Sequence, residues 1–248
     1  MLYKNHISFL RRDGEDTANI IFLTLEDATG KDINEPKLRW INDWYSKNKD
    51  CRNPCWEDLW HQNDDKIGNI GKKICKICKY IIQKKNHKID WKEITNKIYK
   101  LNVQNIKFNP LPRINVSDEK SNTAIINFLG TNESTIFFDT KNWIDTRTNF
   151  ILENYSNIFK PNKIYISCCH HWLGLLKKLY GYSYTNVFKV YTSERNSYTK
   201  FLSPKDNSFL FFYIPLLAHN INDILLEEFA KDLNEVMEDR RITFGNGF

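Results

Sequence analysis

Short apolar runs and longer amphipathic segments alternate along this chain. The run at 19–25 (NIIFLTL) is continuously apolar but for Asn19 and Thr24, as a strand covered on both faces requires. Similar runs lie at 123–129 (TAIINFL), 163–168 (KIYISC, introduced by Pro161), 186–191 (NVFKVY) and 208–214 (SFLFFYI, closed by Pro215). Between them, 143–159 places Ile144, Phe150, Ile151, Tyr155 and Ile158 on one helical stripe, and 172–180 runs up to Gly181, a helix stop. A last helix is predicted over 223–239, with Ile224, Leu225, Phe229, Leu233 and Val236 inward. This alternation predicts an α/β fold: a central four- to five-stranded, mostly parallel sheet flanked by helices.

Residues 35–121 separate the first two runs by far more than one crossover helix needs. The stretch is Lys-rich, helical in pattern, and ends in a loop at Asn109, Pro110, Leu111 and Pro112. It is expected to be a helical insertion after the first strand of one domain spanning 1–248; a separate lobe is the alternative. With 36 basic and 30 acidic residues, the net charge of +6 favours an anionic partner without requiring one, since a coding bias toward Lys also raises it. The longest apolar run, 209–218, is broken by Pro215 and falls short of the roughly 20 residues a bilayer demands. The N-terminal stretch, with Arg11, Arg12, Asp13 and Glu15, does not read as a secretory signal. A cytoplasmic protein is therefore expected, its six cysteines reduced thiols or metal ligands.

Parallel sheets bind ligands beyond the carboxyl ends of their strands. That rule selects four segments: Glu26, Asp27 and Thr29; Asn127 with Gly130 and Thr131; Cys168, Cys169, His170 and His171; and His219 with Asn220. Their order along the chain resembles the uracil-DNA glycosylase superfamily. Leu25-Glu26-Asp27-Ala28 lies in register with the family's acidic motif after the first strand. Ile125-Ile126-Asn127 matches its base-reading strand, and Ala218-His219-Asn220 stands at its late histidine motif. The similarity of order covers about 19–236, without most of 35–121. The usual Gly and Pro of the first motif are Leu25 and Ala28 here, and Asn220-Ile221 replaces Pro-Ser. The resemblance implies a DNA glycosylase acting on uracil or, given these departures, on a modified pyrimidine, with defence against phage DNA as a context. A non-catalytic nucleic-acid-binding protein of the same fold is the alternative.

The residue chemistry agrees with that implication. Breaking a base–sugar bond leaves positive charge on the sugar, which a carboxylate at Asp27, or at Glu26, can stabilise while orienting water. Asn127 offers a donor and an acceptor to a base edge. His219 can donate to the oxygen that collects the departing base's charge. Thr29 and His170 are further candidate pocket residues. Each has a structural alternative: a helix cap for the acidic pair, a loop hydrogen bond for Asn127, a satisfied surface histidine for His219. For phosphate contacts the candidates are Lys72 and Lys76, at helical spacing with Lys79, and Ser193, Arg195 and Lys200; a solvated face or an ordinary exposed loop is the alternative. No cofactor or metal is expected for this chemistry. Cys51, Cys55, Cys75 and Cys78 have a zinc-like C-x3-C and C-x2-C spacing, but Cys75 and Cys78 share a helical pattern with Ile74, Ile77 and Ile81 and can be core residues instead. A phosphate-cradling Gly-rich loop and a Gly-x-Ser-x-Gly elbow are both lacking, which disfavours nucleotide hydrolysis and serine hydrolysis. The expected partner is DNA, with no membrane and no obligate protein partner.

Overall fold

The computed structural model describes residues 10–14, 17–25, 51–53, 69–83, 103–109, 141–180, 185–190, 197–202, 209–214 and 223–242. Among these the strands are β1 (Arg11–Gly14), β2 (Ile20–Thr24), β3 (Cys51–Asn53), β4 (Val103–Lys107), β5 (Lys163–Ser167), β6 (Thr185–Val190), β7 (Ser197–Leu202) and β8 (Phe209–Tyr213). The helices are α1 (Asn69–Gln83), α2 (Lys141–Glu153), α3 (Tyr155–Ile158), α4 (His170–Tyr180) and α5 (Asp223–Asp239). The strands are ordered β3-β1-β4-β2-β5-β8-β7-β6. The α/β class and the parallel centre are those the pattern predicted. The chain divides into two compact units, one of residues 1–12, 24–52 and 106–158, the other of 13–23, 53–105 and 159–248.

In the larger unit β2 pairs with β5 in parallel (Ile20↔Ile164 through Leu23↔Ser167), and β5 with β8 in parallel (Lys163↔Phe209 through Ser167↔Tyr213). β7 joins β8 and β6 antiparallel. Alternate residues of a strand face opposite sides, and both sides are covered here. Ile20, Phe22, Ile164, Ile166, Leu210 and Phe212 share one apolar cluster with α1 and α5. In α1 the buried positions Ile74, Ile77, Cys78, Ile81 and Ile82 recur at helical spacing. In α5, Phe229 meets Phe212 edge-on at 5.3 Å. On the opposite side Tyr165 and Phe209 pack at 5.5 Å against each other and at 4.9 and 5.3 Å against Phe159. Trp172 of α4, fully buried, closes on Phe159 at 6.2 Å. The Lys163 ammonium holds the entry to β2, donating to the carbonyls of Thr17 and Ala18 and to Asn19 Oδ1.

Four features depart from the sequence pattern. The interval 35–121 carries β3 and β4 as well as α1. β4 (VQNIK) escaped notice because its polar Gln104, Asn105 and Lys107 are all buried. The segment containing Lys200 is a ladder strand, β7, rather than a loop. The predicted helix 143–159 is interrupted at Asn154, whose side-chain amide donates to the Phe150 carbonyl at 2.9 Å. Ile224, expected inward, is 65% exposed, and Leu226 is buried with Leu225 instead. The run at 123–129 lies outside the described residues.

Candidate functional site

Within the larger unit, β2 and β5 are parallel neighbours. The chain between β2 and β4 lays α1 on the aliphatic face; the chain between β5 and β8 lays α4 on the aromatic face. In doubly wound sheets ligands bind beyond the carboxyl ends of the strands, which directs attention to the ends of β2 and β5.

The carboxyl end of β5 is held by Ser167, the fully buried last residue of the strand. Its hydroxyl donates to the Leu23 carbonyl at 2.8 Å and accepts the Cys169 N–H at 3.0 Å. The Ser167 carbonyl accepts the Ile214 N–H at 2.7 Å. One short side chain and its own carbonyl thus tie the ends of β2, β5 and β8 together. The Cys169 carbonyl accepts the Leu173 N–H at 3.4 Å, the first turn of α4. His170 begins that helix, exposed, with its ring centroid 4.0 Å from that of His171 at a tilt of 43°.

Burial tunes the neighbouring groups. It pushes the Cys168 thiol up to about 11, against a smaller opposing influence of its backbone hydrogen bond and of Lys73. It lowers Lys73, which Cys168 partly restores and Lys76 depresses further. It raises the Tyr213 phenol, with Cys169 and Cys168 adding to the effect.

Of the residues singled out in the sequence, His170 is the exposed first residue of α4, after β5. Lys76, on α1, donates to both carboxylate oxygens of Asp223 at 2.7 and 2.9 Å, tying α1 to the start of α5. Lys72 lies in α1, and Lys200 lies in β7 opposite Val187 and Phe212. Cys75 and Cys78 belong to the apolar cluster at 0% and 1% exposure, and burial raises the Cys78 thiol well above its ordinary value, with Cys75 contributing. Cys51 lies in β3. Among the described residues no group of three or more His, Cys, Asp or Glu could hold a metal ion. Glu26, Asp27, Thr29, Cys55, Asn127, Ser193, Arg195 and His219 lie outside the described residues.

The smaller unit contains a polar arrangement that the sequence reading missed. Past the end of β2, the carbonyls of Thr24 and Leu25 accept the N–H groups of Phe108 and Asn109 at 2.9 and 2.8 Å. Trp143 Nε1 donates to Asn109 Oδ1 at 2.8 Å. Arg147 donates through Nε and Nη2 to the Phe108 carbonyl at 2.8 and 2.6 Å. Its guanidinium is fully buried, lies 5.0 Å from the Phe150 ring centroid, and is lowered by desolvation to about 9, so it stays charged at pH 7. The available signal was the i, i+4 spacing of Trp143 and Arg147, which puts both on one helix face.

No family model, curated protein or solved structure matches the chain.

Proposed function

We propose that this chain is a DNA glycosylase that flips its target base out of the stack and hydrolyses the N-glycosidic bond, leaving an abasic site. The observation that carries the proposal is the parallel pairing of β2 and β5: in sequence, Glu26 and Asp27 follow the carboxyl end of β2, and His170 follows that of β5. The order of Glu26-Asp27, Asn127 and His219 along the chain, which resembles the uracil-DNA glycosylase superfamily, supports it further.

In this reading the C1′–N bond breaks with its electron pair leaving on the base. Asp27, or Glu26 in its place, stabilises the sugar cation and takes a proton from the water whose oxygen bonds to C1′. His219 donates a hydrogen bond to the base oxygen that gains charge. Asn127 reads the base edge, with Thr29 and His170 lining the pocket. Ser193, Arg195, Lys200 and Lys72 contact phosphates; Lys76 would do so in competition with its bond to Asp223. The residues named supply the chemistry without a cofactor. The substrate is uracil or a modified pyrimidine, the latter fitting a defence against phage DNA.

Asp27→Asn and His219→Ala separate binding from chemistry. Each is expected to retain DNA affinity while base release falls by about 10² or more. Release that survives both substitutions overturns the proposal.

A further inference from the structure

We infer that the outward face of α4 is a docking surface for the phosphate backbone of DNA, an inference that takes its polymer from the glycosylase reading above. The helix starts just past the carboxyl end of β5, where the Cys169 N–H donates to the Ser167 hydroxyl at 3.0 Å. It packs inward through Trp172, Leu175 and Leu176, all buried. At roughly 100° per residue, the side opposite that stripe carries His170, Gly174 and Lys178, and all three are exposed. Half-buried Lys177 and His171 flank them. No carboxylate interrupts this face, because α4 (HHWLGLLKKLY) contains no Asp or Glu. The outward side of α5 differs: its one lysine, Lys231, stands 3.5 and 3.7 Å from the carboxylates of Glu227 and Glu228.

Gly174 is the second observation. A glycine inside a helix is destabilising relative to alanine. Among the described residues no close neighbour calls for one here, since a Cβ at Gly174 would meet no heavy atom within 4 Å. What glycine supplies at such an exposed position is room for another backbone to come close. His170 and Lys178 stand four residues to either side, so a strand passing over Gly174 lies between two nitrogen donors. Their eight-residue separation is roughly 12 Å along the axis, a length over which one DNA strand carries about three phosphates. Contacts of this kind fix position without reading sequence. They would hold the duplex at the sheet end where the proposed excision takes place.

The test is the Kd of the full chain for a fluorescently labelled duplex of arbitrary sequence, measured across a salt series. Lys178→Gln is expected to weaken binding several-fold at low salt and to reduce the slope of log K against log salt by about 0.9. Gly174→Ala is expected to raise Tm, as relief of a helix glycine does, while weakening binding by about threefold. Gly174→Leu fills more of the space and is expected to weaken it by about tenfold. Stability and affinity moving in opposite directions is a result that a merely structural glycine would not give. Lys231→Gln, on α5, is expected to leave Kd and slope unchanged. Unaltered Kd and slope in Lys178→Gln, or unaltered Kd in both Gly174 variants, overturns the inference. So does duplex binding too weak to measure in the unsubstituted protein, or binding of polyglutamate in preference to duplex, which would mark the face as one for acidic protein. If duplex binding depends on α4 but no DNA loses a base, the glycosylase reading fails alone; if bases are released and the α4 variants bind like the unsubstituted protein, this inference fails alone.

Discussion

The apolar sandwich of the larger unit and the hydrogen-bonded strand exits of the smaller one use different physics. In the former, Ile20, Phe22, Ile166 and Phe212 meet α1 and α5 through contacts that have no required direction. Their strength grows with area, so similar side chains can substitute for one another. In the latter, Asn109, Trp143 and Arg147 place named oxygens and nitrogens at 2.6 to 2.8 Å. Such bonds add little net stability, yet leaving one buried partner unmade is costly, so each fixes a position. The first region answers what holds the chain folded. The second answers what fixes the backbone of Phe108 and Asn109 beside Thr24 and Leu25.

The comparison can be broken by substitution. Phe229→Ala removes the edge-on partner of Phe212 from the aliphatic face and should cost about 3–5 kcal/mol in denaturant unfolding. Trp143→Phe should cost only about 1 kcal/mol globally while loosening Asn109 locally. A global loss equal to that of Phe229→Ala would mean that the polar exits hold the fold itself, and the distinction would collapse. Asp223→Asn weakens a bridge whose partners, Lys76 and Asp223, are 33% and 56% exposed, and should cost at most about 1 kcal/mol, less at high salt.

The same contrast explains what the sequence could convey. Apolar runs announced β2, β5 and β8, and the pattern over 223–239 coincides with α5, because burial on both faces leaves a continuous signal. β4 was illegible because buried Gln104, Asn105 and Lys107 read as solvent-facing residues. β7 (SYTKFL) was hidden by hydroxyls and a lysine in a ladder position. In α2 the buried residues Trp143, Arg147 and Ile151 lie four apart, so the inward stripe is rotated from the one Ile144 and Phe150 suggested. An arginine on that stripe carries no hydropathy signal, and its bonds to the Phe108 carbonyl, distant in sequence, are invisible in the pattern. Of the candidate site, the strand-end rule pointed to His170, which begins α4 after β5. The rule could not reveal Ser167, whose role lies in the bonds of a single hydroxyl rather than in any motif.

The most direct test of the central claim is mass analysis of free bases after incubating the chain with DNAs that carry uracil, mispaired bases or phage-type modified cytosines. The account predicts one free pyrimidine base together with an equal amount of abasic strand. DNA bound but left with every base attached, across all of these substrates, would contradict it.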